Sequence, residues 1–271
     1  TPTNSVFGHW WDYGYWLQSL GERATVLDGG NAISYWNHLM GRYALTGPNE
    51  REALDFLYAH NTTHFLIDSS DIGKYTAFSS IGSNKDYDRL SWLVTFVKDK
   101  NQIKEMKNST LYVYSAGTLL DGDILYENNG SKIYLPGNKA GIGAILVEKD
   151  LSGNIVSQPI GIFVYQNNQY NLPLRYAFYN NKLIDYKTGV ESGIFIFPFI
   201  DQNNLDKDGA ALYLSNRTVK SQLARLYLYK EDNKTFKLVH SEDDFVVAQI
   251  KEQNQNMMDY DIIDYQGLRG P

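Results

Sequence analysis

Cysteine is absent from this 271-residue chain, which excludes disulfides, zinc–thiolate centres and thiol nucleophiles. Stability has to come from packing alone. No run of about 18 apolar residues occurs, so nothing reads as a membrane-spanning helix. Positive charge is in deficit: 25 Lys and Arg face 31 Asp and Glu, giving a formal net charge of −6. With no basic patch to offset that balance, no nucleic-acid partner is expected. No signal peptide is recognisable, and the chain opens on Thr1 without Met, so it reads as a piece of a longer protein. Tyrosine, by contrast, is abundant at 21 copies, and the 43% hydrophobic content is that of a globular chain with one or two packed domains.

The most informative stretch is Phe7-Gly8-His9-Trp10-Trp11-Asp12-Tyr13-Gly14-Tyr15-Trp16. An indole N–H only donates a hydrogen bond, and an ionised carboxylate only accepts. Trp10, Trp11 and Asp12 can therefore satisfy both roles of one alcohol, such as a Ser or Thr side chain. Gly14 gives the backbone freedom to turn immediately afterwards. Aromatic packing at a helix start is the plainer alternative. A second motif is Asp71-Ile72-Gly73-Lys74-Tyr75-Thr76-Ala77-Phe78. Asp and Lys three apart on a helix share a face and can pair; by itself this is an ordinary surface ion pair worth roughly 0–1 kcal/mol.

Around these motifs the chain reads as mixed helix and strand. Asp12 is a natural N-cap for a helix over 13–20, and 24–27 is a short strand before the turn Asp28-Gly29-Gly30-Asn31. A helix over 33–45 stops at Thr46-Gly47-Pro48, and Asn49 caps the next, over 50–59. A buried strand over 63–68 leads into a helical stretch from Ser70 or Asp71 toward Ile81, in which Gly73 favours a kinked or mobile element. From 121 to about 201 short β-type runs alternate with Asn- and Gly-rich turns, as in an antiparallel sandwich or barrel. Helix returns over 218–228, and a strand over 235–240 follows. The fold class is thus α+β: a mixed helical and strand core interrupted by an antiparallel β-rich insertion. The boundaries read as 1–120 for the first part of the core with both motifs, 121–204 for the insertion, 205–248 for the returning core and 249–271 for a tail.

Other groups of residues are less informative. Asp201, Asn203, Asp206 and Asp208 before Gly209 offer oxygen ligands like a calcium loop, but no Glu fills the bidentate position of an EF-hand, and a solvated acidic turn is the plainer reading. His60 and His64 run into a strand and do not share a helical face, which argues against a metal pair. Gly141-Ile142-Gly143 lacks the last glycine and the helix of a dinucleotide loop. Asn61, Asn108, Asn129, Asn216 and Asn233 each open an Asn-x-Ser/Thr sequence, which shows only that the domain could itself carry glycans.

Taken together, the word Trp10-Trp11-Asp12-Tyr13-Gly14 and the pattern Asp71-x-x-Lys74 resemble two landmarks of the oligosaccharyltransferase catalytic subunit, in its archaeal form. The resemblance implies that Trp10, Trp11 and Asp12 bind the Ser or Thr hydroxyl of an Asn-x-Ser/Thr acceptor, with Lys74 at the edge of the same pocket. The family has Met or Ile where this chain has Phe78, and that residue touches the methyl of an acceptor Thr; here Phe78 or nearby Ile81 would supply the contact. Tyr13, Gly14 and Asp71 would support the pocket. The implied reaction moves an oligosaccharide from a dolichol-linked donor to the acceptor Asn. Its divalent Mn or Mg and its catalytic carboxylates are expected in a membrane half outside this sequence, so no catalytic residue or metal ligand is assigned here, and this stretch alone should be inactive. The expected partners are an acceptor protein or peptide and the dolichol-linked oligosaccharide. The expected location is the cell membrane, with this domain on the extracellular face. Two other classes remain: an extracellular carbohydrate- or cell-surface-binding module without catalysis, and a glycosidase, which would need two carboxylates roughly 5–10 Å apart.

Overall fold

A computed structural model describes residues 1–128, 130–201, 204–231, 235–242 and 245–250, without the side chains of 201 and 245–250. The sequons at Asn129 and Asn233, the calcium-loop member Asn203 and residues 251–271 of the expected tail lie outside the described residues. The chain divides into two compact units, residues 1–92 together with those from 220 onward, and residues 93–219.

The first unit is a five-stranded sheet with helices around it. Its strands run Phe236–Ser241, Phe245–Ile250, His64–Asp68, Val6–Gly8 and Ala24–Thr25, with the last three mutually parallel and the others antiparallel. Parallel neighbours require crossover connections, and helices supply them. Helix α1 spans Gly14–Ser19, α2 Ser34–Leu39, α3 Glu50–Ala59 and α4 Asp71–Ile81. A π-helical turn, Met40–Leu45, extends α2. Asn49 caps α3 by accepting from the Arg51 N–H at 2.9 Å, and Glu50 and Glu52 complement the dipole in its first turn. Phe56, Leu57, Phe65 and Phe78 are buried in the core of this unit. The returning segment holds a short π-helical turn, Ala224–Leu228, rather than the long helix expected over 218–228. Its Arg225 guanidinium bonds Glu50 on α3 and Glu231.

The second unit is a β-barrel. Strands Ile160–Tyr165, Gly141–Asp150, Ser109–Leu119, Val94–Lys98, Asn204–Leu214, Val190–Asp201 and Asn168–Tyr179 pair in that order. Pairing of Ile160–Tyr165 with Asn168–Tyr179 closes the circuit, so these strands leave no open edge. One neighbouring pair, Asn168–Tyr179 with Val190–Asp201, is parallel; the rest are antiparallel. Phe96, Tyr114, Ile145, Phe163, Leu174 and Ile194 fill the interior. The unit therefore begins at 93 and ends at 219, outside the 121–204 read from turn density. Strands Val94–Lys98, Ser109–Leu119 and Asn204–Leu214 complete the ladder, and the first two precede the turn-rich stretch altogether.

The acidic stretch near 201–208 lies in this unit. Asp206 pairs with Lys98 at 2.6 Å, and Asp208 with Lys149 at 2.7 Å. Lys149 is 2% exposed, and its ammonium lies 3.7 Å from the centre of the Tyr179 ring. Both described carboxylates of the expected calcium loop thus already neutralise lysines. His60 and His64 are likewise occupied: Trp36 packs edge-on against the first ring, and Phe7 stacks on the second.

Candidate functional site

The two motifs meet in the first unit. Strand Val6–Gly8 delivers Trp10 and Trp11, a 3-10 turn over Trp11–Tyr13 carries Asp12, and strand His64–Asp68 delivers the start of α4. These two strands are neighbours in the sheet, so residues about 60 apart in sequence emerge side by side. Lys74 Nζ lies 2.5 Å from Asp12 Oδ2 and donates to the Tyr13 hydroxyl at 2.9 Å. The ammonium also lies 4.5 Å from the centre of the Tyr13 ring.

Lys74 thus lies against Asp12, as the shared-pocket expectation required, rather than in the ordinary surface pair with Asp71 that spacing alone allows. Asp71 is fully buried at the first position of α4. It accepts from the Asp68 backbone N–H at 3.0 Å and from the Tyr13 hydroxyl at 2.9 Å. Burial raises its carboxyl to about 6, against the stabilising pull of the Asp68 N–H, Tyr13 and Lys74. Burial also lifts the Tyr13 phenol far above its ordinary range, with Asp71 adding to the effect, so Tyr13 stays a donor. Its oxygen also bonds the Ser70 hydroxyl at 2.8 Å. Tyr13 is therefore the hub that joins the two motifs.

Asp12 does not cap a helix. The turn and α1 both begin without a side-chain cap; their N-cap residues are Trp10 and Tyr13, and the Asp12 carboxylate pairs with Lys74 instead. Its second oxygen, Oδ1, is buried with no hydrogen-bond partner. Gly14 has an ordinary helical φ of −55°, so its role is not a special turn. A Cβ there would stand 2.4 Å from the Leu27 carbonyl oxygen, and only glycine allows that approach.

Trp10 is buried at 3% exposure and meets Phe78 edge-on, with ring centres 5.4 Å apart. Phe78 itself is 0% exposed and also packs on Tyr75. Its expected contact with an acceptor methyl therefore gives way to a packing role: an aromatic ring at this helix position fills the core beneath Trp10. Ile81, at the end of α4, is 43% exposed. Helix α4 is continuous through Gly73. His9 was not anticipated as part of the site. It is fully buried, its Nδ1–H donates to the Trp10 carbonyl at 2.6 Å, and burial holds its imidazole below the ordinary range. Asp68 and Ser70 were also missed; their only signal was the polar run Asp68-Ser69-Ser70-Asp71 at a strand end.

Both motifs lie within residues 3–121, the segment that matches the family model of the STT3/PglB/AglB core domain. Over 84 residues the chain is 36% identical to dolichyl-phosphooligosaccharide-protein glycotransferase 1 of Pyrococcus furiosus, and over 83 it is 35% identical to the same-named protein of Pyrococcus horikoshii. These alignments cover 30% and 29% of this chain but only 8% of each relative. The C. jejuni PglB C-terminal domain superimposes at TM-score 0.46 with 13% identity, over 93% of this chain and 95% of that one. The C-terminal globular domain of oligosaccharyltransferase from Pyrococcus abyssi gives 0.41 at 13% identity, over 93% of this chain and 47% of that one.

Proposed function

We propose that this chain is the acceptor-recognition domain of an N-oligosaccharyltransferase catalytic subunit, an enzyme that transfers a dolichol-linked oligosaccharide to Asn of Asn-x-Ser/Thr. Trp10, Trp11 and Asp12 bind the Ser or Thr hydroxyl. The observation that carries the reading is the division of labour within Asp12: Lys74 holds Oδ2, while Oδ1 is left without a partner. An uncompensated buried acceptor costs stability, and an incoming O–H would complete it. Oδ1 is closed to solvent in this state, so binding requires a local opening. A site built to hydrogen-bond an alcohol rejects analogues that lack one, because its polar groups are then left unpaired.

The role of this chain is to orient the acceptor, not to make the bond. Among the described residues no three His, Cys, Asp or Glu side chains converge as metal ligands, and no helix is long and apolar enough to cross a membrane. In this reading the Mn or Mg ion, the catalytic carboxylates and the lipid-linked donor belong to a membrane half of the same protein, and this domain lies on the extracellular face. The isolated chain, given donor, acceptor peptide and Mn²⁺, should form no glycopeptide. In the full-length enzyme, Lys74→Met should lower kcat/KM for the acceptor about tenfold, roughly 1.4 kcal/mol, and Lys74→Arg should recover part of it by restoring the charge. Wild-type kcat/KM in Lys74→Met would contradict the reading, as would glycopeptide made by the isolated chain.

A further inference from the structure

The barrel unit contains a cavity that the reading above does not use. It has a volume of about 220 Å³ and is lined by Asp121, Ser192, Tyr213 and Ser215 together with apolar side chains such as Leu120 and Ile124. The polar members are deeply set, at 8%, 2%, 5% and 6% exposure respectively. Three different parts of the chain build it: the segment after strand Ser109–Leu119, the start of strand Val190–Asp201 and the end of strand Asn204–Leu214. The Ser215 hydroxyl donates to Asp121 Oδ2. The Ser192 hydroxyl has no partner in hydrogen-bond geometry, although it sits near enough to the Tyr213 phenol to favour its ionised form. A buried hydroxyl left open on a cavity wall points to something that enters.

The chemistry of the walls narrows the ligand. Asp121, Asp123 and Glu191 all border the cavity, which disfavours an anion. Arg175 neutralises Glu191 at 2.7 Å, and the Arg217 charge lies close enough to Asp123 to help hold its carboxyl below the ordinary range, behind the larger effects of the Gly137 N–H and Tyr134. Two of the three carboxylates thus have a cation beside them, and the third, Asp121, already accepts from Ser215, which disfavours a cation. A neutral ligand with several hydroxyls fits what remains: it donates to carboxylate oxygens, accepts from Ser and Tyr O–H, and lays its C–H face on Leu120 and Ile124. The volume is roughly seven times the 30 Å³ that a water molecule occupies, enough for one sugar ring. We infer that this cavity is a binding site for a single sugar residue, distinct from the Trp10–Lys74 site and independent of the acceptor reading.

The test is ¹H–¹⁵N NMR titration of the chain with methyl glycosides of glucose, mannose, galactose and N-acetylglucosamine, with butylamine as the cationic control. At least one glycoside should give saturable shifts concentrated at 120–125, 189–192 and 213–216. Ser192→Val should weaken that binding about fivefold, as expected for one lost neutral hydrogen bond. Leu125 lines the cavity and is 64% exposed, so Leu125→Trp should block the mouth without disturbing the core. Resonance dispersion in each variant checks that the barrel is intact. The inference is overturned if no glycoside shifts these residues, if butylamine binds there and the sugars do not, or if folded Leu125→Trp binds as well as the parent.

Discussion

Asp71 gives the sharpest physical test of how the two motifs are joined. Its carboxyl sits at about 6 in the folded protein against an ordinary 3.8, because burial disfavours the charge more than the Asp68 N–H, Tyr13 and Lys74 favour it. A carboxyl raised by folding contributes stability that is fully present below the unfolded value and is lost as the pH rises through the folded one. At 1.36 kcal/mol per pH unit, the interval from 3.8 to about 6 withdraws about 3 kcal/mol in all, most of it between roughly pH 4 and 7. Asp71→Asn is uncharged throughout and removes that dependence. The assay is urea unfolding followed by tryptophan fluorescence. All five tryptophans, Trp10, Trp11, Trp16, Trp36 and Trp92, lie in the first unit, so the signal reports that unit. The stability of the parent relative to Asp71→Asn should fall by about 2.5 kcal/mol from pH 4 to 7.5. A difference that stays flat, or that grows with pH, would refute the account of a carboxylate kept ionised at a cost to orient Tyr13.

Three further outcomes follow from the packing around the site. Phe78→Leu should lower stability by about 1–2 kcal/mol in urea unfolding and leave the Thr-over-Ser preference of the full-length enzyme unchanged, since Phe78 is fully buried; a shifted preference would mean that it reaches the acceptor. Gly73→Ala should raise stability by up to about 1 kcal/mol, because nothing lies within 4 Å of a Cβ there; a fall would show that the first turn of α4 needs glycine. Gly14→Ala should lower the thermal midpoint of the first unit by several degrees, since its Cβ would strike the Leu27 carbonyl oxygen at 2.4 Å and overpacking costs about 1–3 kcal/mol; an unchanged midpoint would show that the backbone yields freely.

Much of the first unit was legible in the sequence because its signals are local. Asn49 ahead of an acid-rich first turn announced α3, and the apolar run before Asp71 announced both the strand and α4. The hydrogen-bonding complement of Trp10, Trp11 and Asp12 was legible from residue chemistry alone. What the sequence hid was partnership. Whether Lys74 pairs with Asp71 on its own helix or with Asp12 on the turn after a neighbouring strand depends on sheet order, and spacing along the chain cannot reveal that order. The same holds for Phe78: an aromatic side chain at a motif position looks available until Trp10 is placed over it. The barrel limits were misplaced for a related reason. Turn density marks hairpins, but strands such as Val94–Lys98 join the ladder through long-range pairing that leaves no local trace.

The central claim is that Asp12 receives the acceptor hydroxyl, and a double substitution cycle in the full-length enzyme tests it most directly. One arm compares an Asn-x-Thr peptide with its counterpart carrying 2-aminobutyrate, which keeps the carbon chain and lacks the hydroxyl. The other compares the parent with Asp12→Ala. A hydrogen bond to a charged group is worth roughly 1.5–3 kcal/mol, so the parent should favour the Thr peptide by at least about tenfold in kcat/KM. Asp12→Ala should erase most of that ratio by losing the Thr peptide selectively. A variant that is slower on both peptides, with the ratio intact, would contradict the claim and leave Asp12 as a structural partner of Lys74.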